Sequence, residues 1–139
     1  MSIDSILETP LKNIELNEGN VKHALKSSEE DFIGFGEAYF SFLNPGAIKA
    51  WKLHKKMTMN LVVPVGNVKF VFFHPDQNEF LEKTIGEVCY SRLTVPPGIW
   101  FGFQCISKKQ SLILNIANIL HDPEEVKKKP IADISYNWE

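Results

Sequence analysis

From Phe35 to Ile119 the chain is a succession of short apolar runs, each the length of one strand and each closed by turn-forming residues. FGEAYFSFL ends at Asn44-Pro45-Gly46, GAIKAWKL at Lys55-Lys56, and MTMNLVVPV at Gly66-Asn67, an order of residues that suits a tight hairpin. VKFVFFH runs into the loop His74-Pro75-Asp76-Gln77-Asn78. EFLEKTI and Tyr90 to Val95 then lead to the rigid turn Pro96-Pro97-Gly98, and only Ser107 to Gln110 separates IWFGFQCI from SLILNIANI. With one or two peripheral strands in residues 1–33, the count is about nine strands. Turn signals every 8–12 residues or so, with hardly any 3.6-residue periodicity, dictate an antiparallel sandwich or barrel. One short helix is expected over Pro123 to Lys129, where Asp122 can cap, Pro123 starts, acids come early, lysines come late and Pro130 stops.

Inside this series the stretch from Gly46 to Gly66 carries the most charge. On an extended strand successive side chains point to opposite sides, so Ile48, Ala50, Lys52 and His54 should share one face and Lys49, Trp51, Leu53 and Lys55 the other. The run Lys49, Lys52, Lys55 and Lys56 reads either as an attractor for a small anion or as a solvated edge that discourages sheet aggregation.

The 139 residues suit one domain with one core, divided into peripheral N-terminal strands (1–33), a barrel (34–120) and a C-terminal helix and tail (121–139). A net charge of -2, from 15 basic and 17 acidic residues, gives no broad cationic field, which argues against nucleic acid as a partner. No window resembles a membrane span, and the N-terminus, with acids at Asp4 and Glu8, does not resemble a targeting peptide. Cys89 and Cys105 lie in apolar company without a second ligand pair and read as reduced thiols, so a cytoplasmic address is expected. His23 and His74 read as hydrogen-bonded wall residues.

A glycine, a strand with a basic residue and a histidine, a second strand and a glycine, followed later by Pro97-Gly98, an aromatic pair and Gly102-Phe103, resemble the two signature segments of the cupin superfamily. That resemblance implies an all-β cupin jelly-roll, a double-stranded β-helix barrel. Metal-binding cupins carry histidines and a glutamate where this chain has Lys52, Met59 and Phe101, with only His54 remaining. Such a set cannot make a three- or four-ligand nitrogen and oxygen site, so no metal is expected.

Within the superfamily, GAIKAWKLHKKMTMNLVVPVGNVKFVFF, LTVPPGIWFGFQ, LNIANILHDPEEV and the tail IADISYNW resemble the dTDP-4-dehydrorhamnose 3,5-epimerase family and its small metal-free ketoisomerase relatives. The resemblance implies an enzyme that epimerises or isomerises a nucleotide-linked 4-keto-6-deoxy sugar without a cofactor, as a homodimer through its β-sheets. The family's arginine and histidine in "RGLH" correspond to Lys49 and Lys52, the second histidine of short relatives to His54, and a family lysine to Asn60. The histidine of "AHGF" falls on Phe101 and the tyrosine acid on or beside His121. The implied catalytic set is His54 as base, Lys52 as the cation on the enolate oxygen or as the base itself, and His121 as acid. Lys49, Asn60, Glu37, Tyr39, Trp100, Phe101 and Phe103 would line the substrate pocket. A non-catalytic cupin that binds a sugar or sugar nucleotide is the alternative, and a filled barrel with a structural role is a third reading.

Overall fold

The computed structural model describes residues 2–139. Twelve strands are present among the described residues: β1 (Leu7–Pro10), β2 (Asn13–Ile14), β3 (Val21–Lys22), β4 (Glu37–Leu43), β5 (Ile48–His54), β6 (Met59–Val65), β7 (Asn67–His74), β8 (Glu79–Gly86), β9 (Ser91–Val95), β10 (Trp100–Cys105), β11 (Ser111–Ala117) and β12 (Val126–Lys128). They build one sheet in the order β1-β9-β6-β11-β4, a second in the order β12-β5-β10-β7-β8, and a small β2-β3 hairpin. Strand pairs are antiparallel throughout, and consecutive strands cross repeatedly from sheet to sheet. This is a jelly-roll, as the spacing of the apolar runs and the resemblance imply.

The main core fills the space between the sheets. Met59, Leu61 and Val63 of β6, Val68, Phe70 and Phe72 of β7, Phe101 of β10 and Ile113 of β11 alternate inward, as a period of two requires. Outside the second sheet Trp51, Leu53, Val71 and Trp100 form a separate cluster, sealed by Ile134, Tyr136 and Trp138 of the C-terminal tail. The tail explains why β7 and β10 are apolar on both faces and why β5 carries Trp51 and Leu53 on its outer one, since that face is covered. Trp51 Nε1 donates to Ile131 O at 3.1 Å and anchors the tail where it begins.

On the outer face of the first sheet a buried ion cluster holds the segment before β4. The guanidinium of Arg92, fully buried, donates to Ala24 O, Glu29 Oε2 and Asp31 Oδ2 at 2.7, 2.7 and 2.6 Å. Asp31 also accepts from Thr94, whose hydroxyl lies 2.6 Å from Asn60 Oδ1. Asn60 therefore belongs to this outer network and is absent from the walls of the cavities described below, which corrects its assignment as a substrate-binding residue.

Two further expectations change. The helix over Pro123 to Lys129 is a single 3-10 turn, Pro123–Glu125, with Asp122 capping Glu124 N as expected. The residues after it form β12, which pairs with β5 in the register Val126↔His54, Lys127↔Leu53 and Lys128↔Lys52. Tertiary pairing to an open sheet edge outweighs the helix propensity of a three-lysine run.

The alternation expected of β5 is also broken. Phe101 of β10 pairs with Lys52, but the next residue, Gly102, pairs with Ala50, so Trp51 is bulged out of register. The bulge restores Lys49 to the inner side, opposite Phe103, although it lies three residues from Lys52. Gly102 makes room for this: a Cβ there would stand 2.6 Å from Ala50 Cβ.

Candidate active site

Lys52 lies at the junction of three cavities at one end of the barrel. A deep cavity of about 120 Å³ sits between the sheets, lined by Met59, Leu61, Phe70 and Ile113 together with His54, Tyr39 and Asn115. A second, of about 340 Å³, opens past His54, His121, Pro123 and Lys128. The third, about 490 Å³, runs along Lys49, Lys128, Lys129 and Ile131. Phe101 and Phe103 form the wall between the deep cavity and the third.

β5 carries His54 inward at its last position, where the ring is buried and lies nearly parallel to that of Phe101, 5.8 Å between centroids. Its Nδ1 is 2.6 Å from Glu125 Oε2. Glu125 is only 2% exposed and accepts further bonds from the backbone N–H of Lys56 and Met57 through Oε1, at 3.0 and 2.8 Å. Burial alone would push its carboxyl up, but the bonds from His54 and from those two N–H groups hold it below the usual glutamate value. An ionised carboxylate only accepts, so Nδ1 carries a proton, and in the neutral ring Nε2 then has the lone pair. The arrangement makes a base whose cationic form is stabilised by a fixed anion.

Lys52 is half-buried, and its pKa is lowered first by burial and then by the charges of Lys128 and Lys49, with Glu125 opposing. Lys128 reaches the site because β12 pairs with β5. Lys129 Nζ stands 4.7 Å from the centre of the Trp100 ring. Four lysines thus edge one cavity, an electrostatic arrangement suited to an anion. Of the lysine run, Lys49 and Lys52 line the cavities, whereas Lys55 and Lys56 are exposed.

The candidate residues from sequence divide as follows. His54, Lys52, Lys49, Tyr39, Phe101 and Phe103 converge on the cavities, with His121 exposed at the mouth. Glu37 does not line them; its carboxylate accepts from the backbone N–H of His121 and holds the chain there. Trp100 is corrected, because it faces outward into the cluster under the tail. Trp51 is in that cluster too. His74 is buried as a wall residue, but its Nδ1 has no hydrogen-bond partner among the described residues.

Sequence reasoning missed Glu125 and Asn115. The segment HDPEEV reads as a helix start with its acids early, and nothing local marks Glu125 over Glu124 as the one that turns inward. Asn115 sits mid-strand in β11, at an inward position expected to be apolar. Lys52, Met59 and Phe101 line the deep cavity, and their donor chemistry does not fit a metal. Among the described residues no three His, Cys, Asp or Glu side chains gather as a metal site would require.

No protein-family model matches the chain. A crystal structure of a dTDP sugar isomerase from Desulfovibrio desulfuricans G20 is 31% identical and superposes with a TM-score of 0.92, over 97% of this chain and 91% of the other. Among curated proteins, one from Haloferax volcanii named "Probable low-salt glycan biosynthesis epimerase Agl13" is 25% identical over 137 residues, 91% of this chain and 88% of its own length. The dTDP-4-dehydrorhamnose 3,5-epimerase of Sulfolobus tokodaii shares the fold, with a TM-score of 0.79 at 18% identity, over 94% of this chain and 80% of its own.

Proposed function

The chain belongs to the family of dTDP-sugar isomerases and dTDP-4-dehydrorhamnose 3,5-epimerases, and we propose from its site that it is a metal-independent enzyme that moves a proton next to the ketone of a dTDP-4-keto-6-deoxyhexose. The observation that carries this reading is the buried His54–Glu125 pair beside Lys52 at the cavity junction. His54 Nε2 removes the proton from the carbon next to the carbonyl, and Glu125 stabilises the imidazolium that forms. The Lys52 ammonium faces the carbonyl oxygen, where it stabilises the enolate. His121, at the mouth beside Tyr39, supplies the returning proton. Return of the proton to the opposite face of the same carbon epimerises it; transfer through an enediol to the neighbouring carbon moves the ketone instead.

In this reading the diphosphate lies along Lys49, Lys128 and Lys129 in the 490 Å³ cavity, with the sugar passing Lys52 into the deep one. Phe101 and Phe103 provide an apolar wall for the sugar. The enzyme works as a homodimer. Support for this is the outer face of the first sheet, where Phe40 and Phe42 of edge strand β4 are each 62% exposed and Leu112 and Leu114 of β11 lie beside them. A cytoplasmic setting suits its two free thiols; among the described residues no helix is long and apolar enough to cross a membrane.

The test is incubation with dTDP-4-keto-6-deoxyglucose in D₂O, followed by NMR of the sugar. Deuterium entering C3 or C5 of a 4-keto sugar, or C4 of a 3-keto product, is the expected result, and the labelled position together with the product distinguishes epimerisation from ketone transfer. Absence of exchange in every dTDP-4-keto-6-deoxyhexose tried, despite binding, would overturn the assignment.

A further inference from the structure

The deep cavity contains a polar side chain whose hydrogen-bonding capacity is half spent. Asn115 is 4% exposed, and its Nδ2 donates to the Tyr39 hydroxyl at 3.0 Å, across the β11–β4 pair in which these two residues stand directly opposite. Its Oδ1 is buried and has no partner among the described residues. Buried amide oxygens are seldom left this way, because the lost hydration is not recovered. No neighbouring strand supplies a donor: β6 places Leu61 opposite Asn115, and the adjacent inward residue of β11 is Ile113.

We infer that Asn115 is a specificity residue that reads one ring hydroxyl of the sugar. The amide and the phenol together match a sugar group that both donates and accepts, which is a hydroxyl. With Nδ2 donating to the Tyr39 oxygen, the Tyr39 proton is free to be given to the ligand, while Asn115 Oδ1 is free to accept. A hydroxyl both accepts from Tyr39 and donates to Asn115. A carbonyl oxygen would satisfy only Tyr39, and a methylene would satisfy neither. Asn115 and Tyr39 both line the deep cavity, where a ligand hydroxyl would meet the pair. The ketone therefore stays on the Lys52 side of the cavity, and a hydroxyl-bearing carbon of the same ring points toward β11.

The inference rests on the proposed function only in taking a sugar nucleotide as the ligand, and it is tested by binding rather than turnover. The probes are dTDP-6-deoxyglucose, which has no ketone and is not consumed, and its congeners lacking the C2 or the C3 hydroxyl. Calorimetric titration of the wild-type protein should show one congener bound about 10- to 100-fold more weakly than the parent and the other within a few fold. In Asn115→Ala the discriminated pair should come within about threefold, mainly because the parent binds more weakly. If Asn115→Ala does not fold, Asn115→Ser, which shortens the same polar side chain, is read by the same ratio. Equal binding of all three probes by the wild type, or a ratio unchanged in the variants, would overturn the inference, and so would binding of none of them. Deuterium exchange with equal binding defeats Asn115 alone; discrimination without exchange in any 4-keto sugar defeats the catalytic reading and leaves the hydroxyl site standing.

Discussion

At the scale of single residues, the site depends on charges that would be costly if unpaired. Glu125 is ionised in a buried position because His54 and two backbone N–H groups face it. Glu125→Gln keeps the shape but removes the charge, so the imidazolium formed during turnover loses its counter-ion. A fall in kcat of about 10²-fold or more is expected, with KM changed less, and a loss of about 1–3 kcal/mol in urea denaturation. Lys52 gives a second signature. Its pKa is lowered by burial, Lys128 and Lys49, so it loses its proton below the ordinary lysine value of 10.5, and an activity that needs the ammonium falls as pH rises through that lowered pKa. Lys52→Arg keeps the cation charged throughout; pH profiles of kcat should show the alkaline limb moved upward or gone in the variant, even where the maximal rate is lower. His54 and Lys52 were legible from the sequence because strand periodicity aligns them and the resemblance assigns them to a cavity. Glu125 was not, since a local pattern of acids says nothing about which one meets a partner 71 residues away.

At the scale of elements, the apolar runs and turn residues identified β4 to β11, because each strand's pattern and its bounding Gly, Pro or Asn are local properties. What was not legible depended on pairing. β12 is too short and too rich in lysine to be recognised without the β5 edge it completes. The bulge that brings Lys49 inward is a relation between β5 and β10, so strict alternation put Lys49 on the wrong face, and the alignment that called Asn60 a pocket residue missed that its side of β6 packs under the Arg92 cluster. That cluster makes its own prediction. Asp31 is pushed up by burial but held below its usual value by the Arg92 guanidinium, so it stabilises the fold above pH 3.8 and the contribution is lost as pH falls from there through its native pKa. Arg92→Met strands two carboxylates against the outer sheet. A loss of about 3–5 kcal/mol at neutral pH is expected, with weaker acid dependence than the wild type in denaturation curves at pH 3 and 7.

For the molecule as a whole, the two sheets have unequal outer faces. The C-terminal tail covers the second, whereas β4 and β11 leave Phe40, Phe42 and the half-buried Leu112 and Leu114 uncovered on the first. Pairing of this face with a second copy predicts a dimer by light scattering, and Phe40→Lys with Phe42→Glu should give a monomer that keeps its far-UV circular dichroism; a wild-type protein that is monomeric at micromolar concentration would contradict the dimer. The site asks more of the fold than the surface does, because it joins β5, β10, β11 and β12 from both sheets around one histidine. Its central claim is that His54, backed by Glu125, takes the proton. The most direct measurement is the initial rate of deuterium entry from D₂O into dTDP-4-keto-6-deoxyglucose, compared between the wild type and His54→Asn at equal substrate occupancy. Exchange should be measurable in the wild type and slower by about 10²- to 10⁴-fold in the variant; exchange in His54→Asn at the wild-type rate would contradict that role.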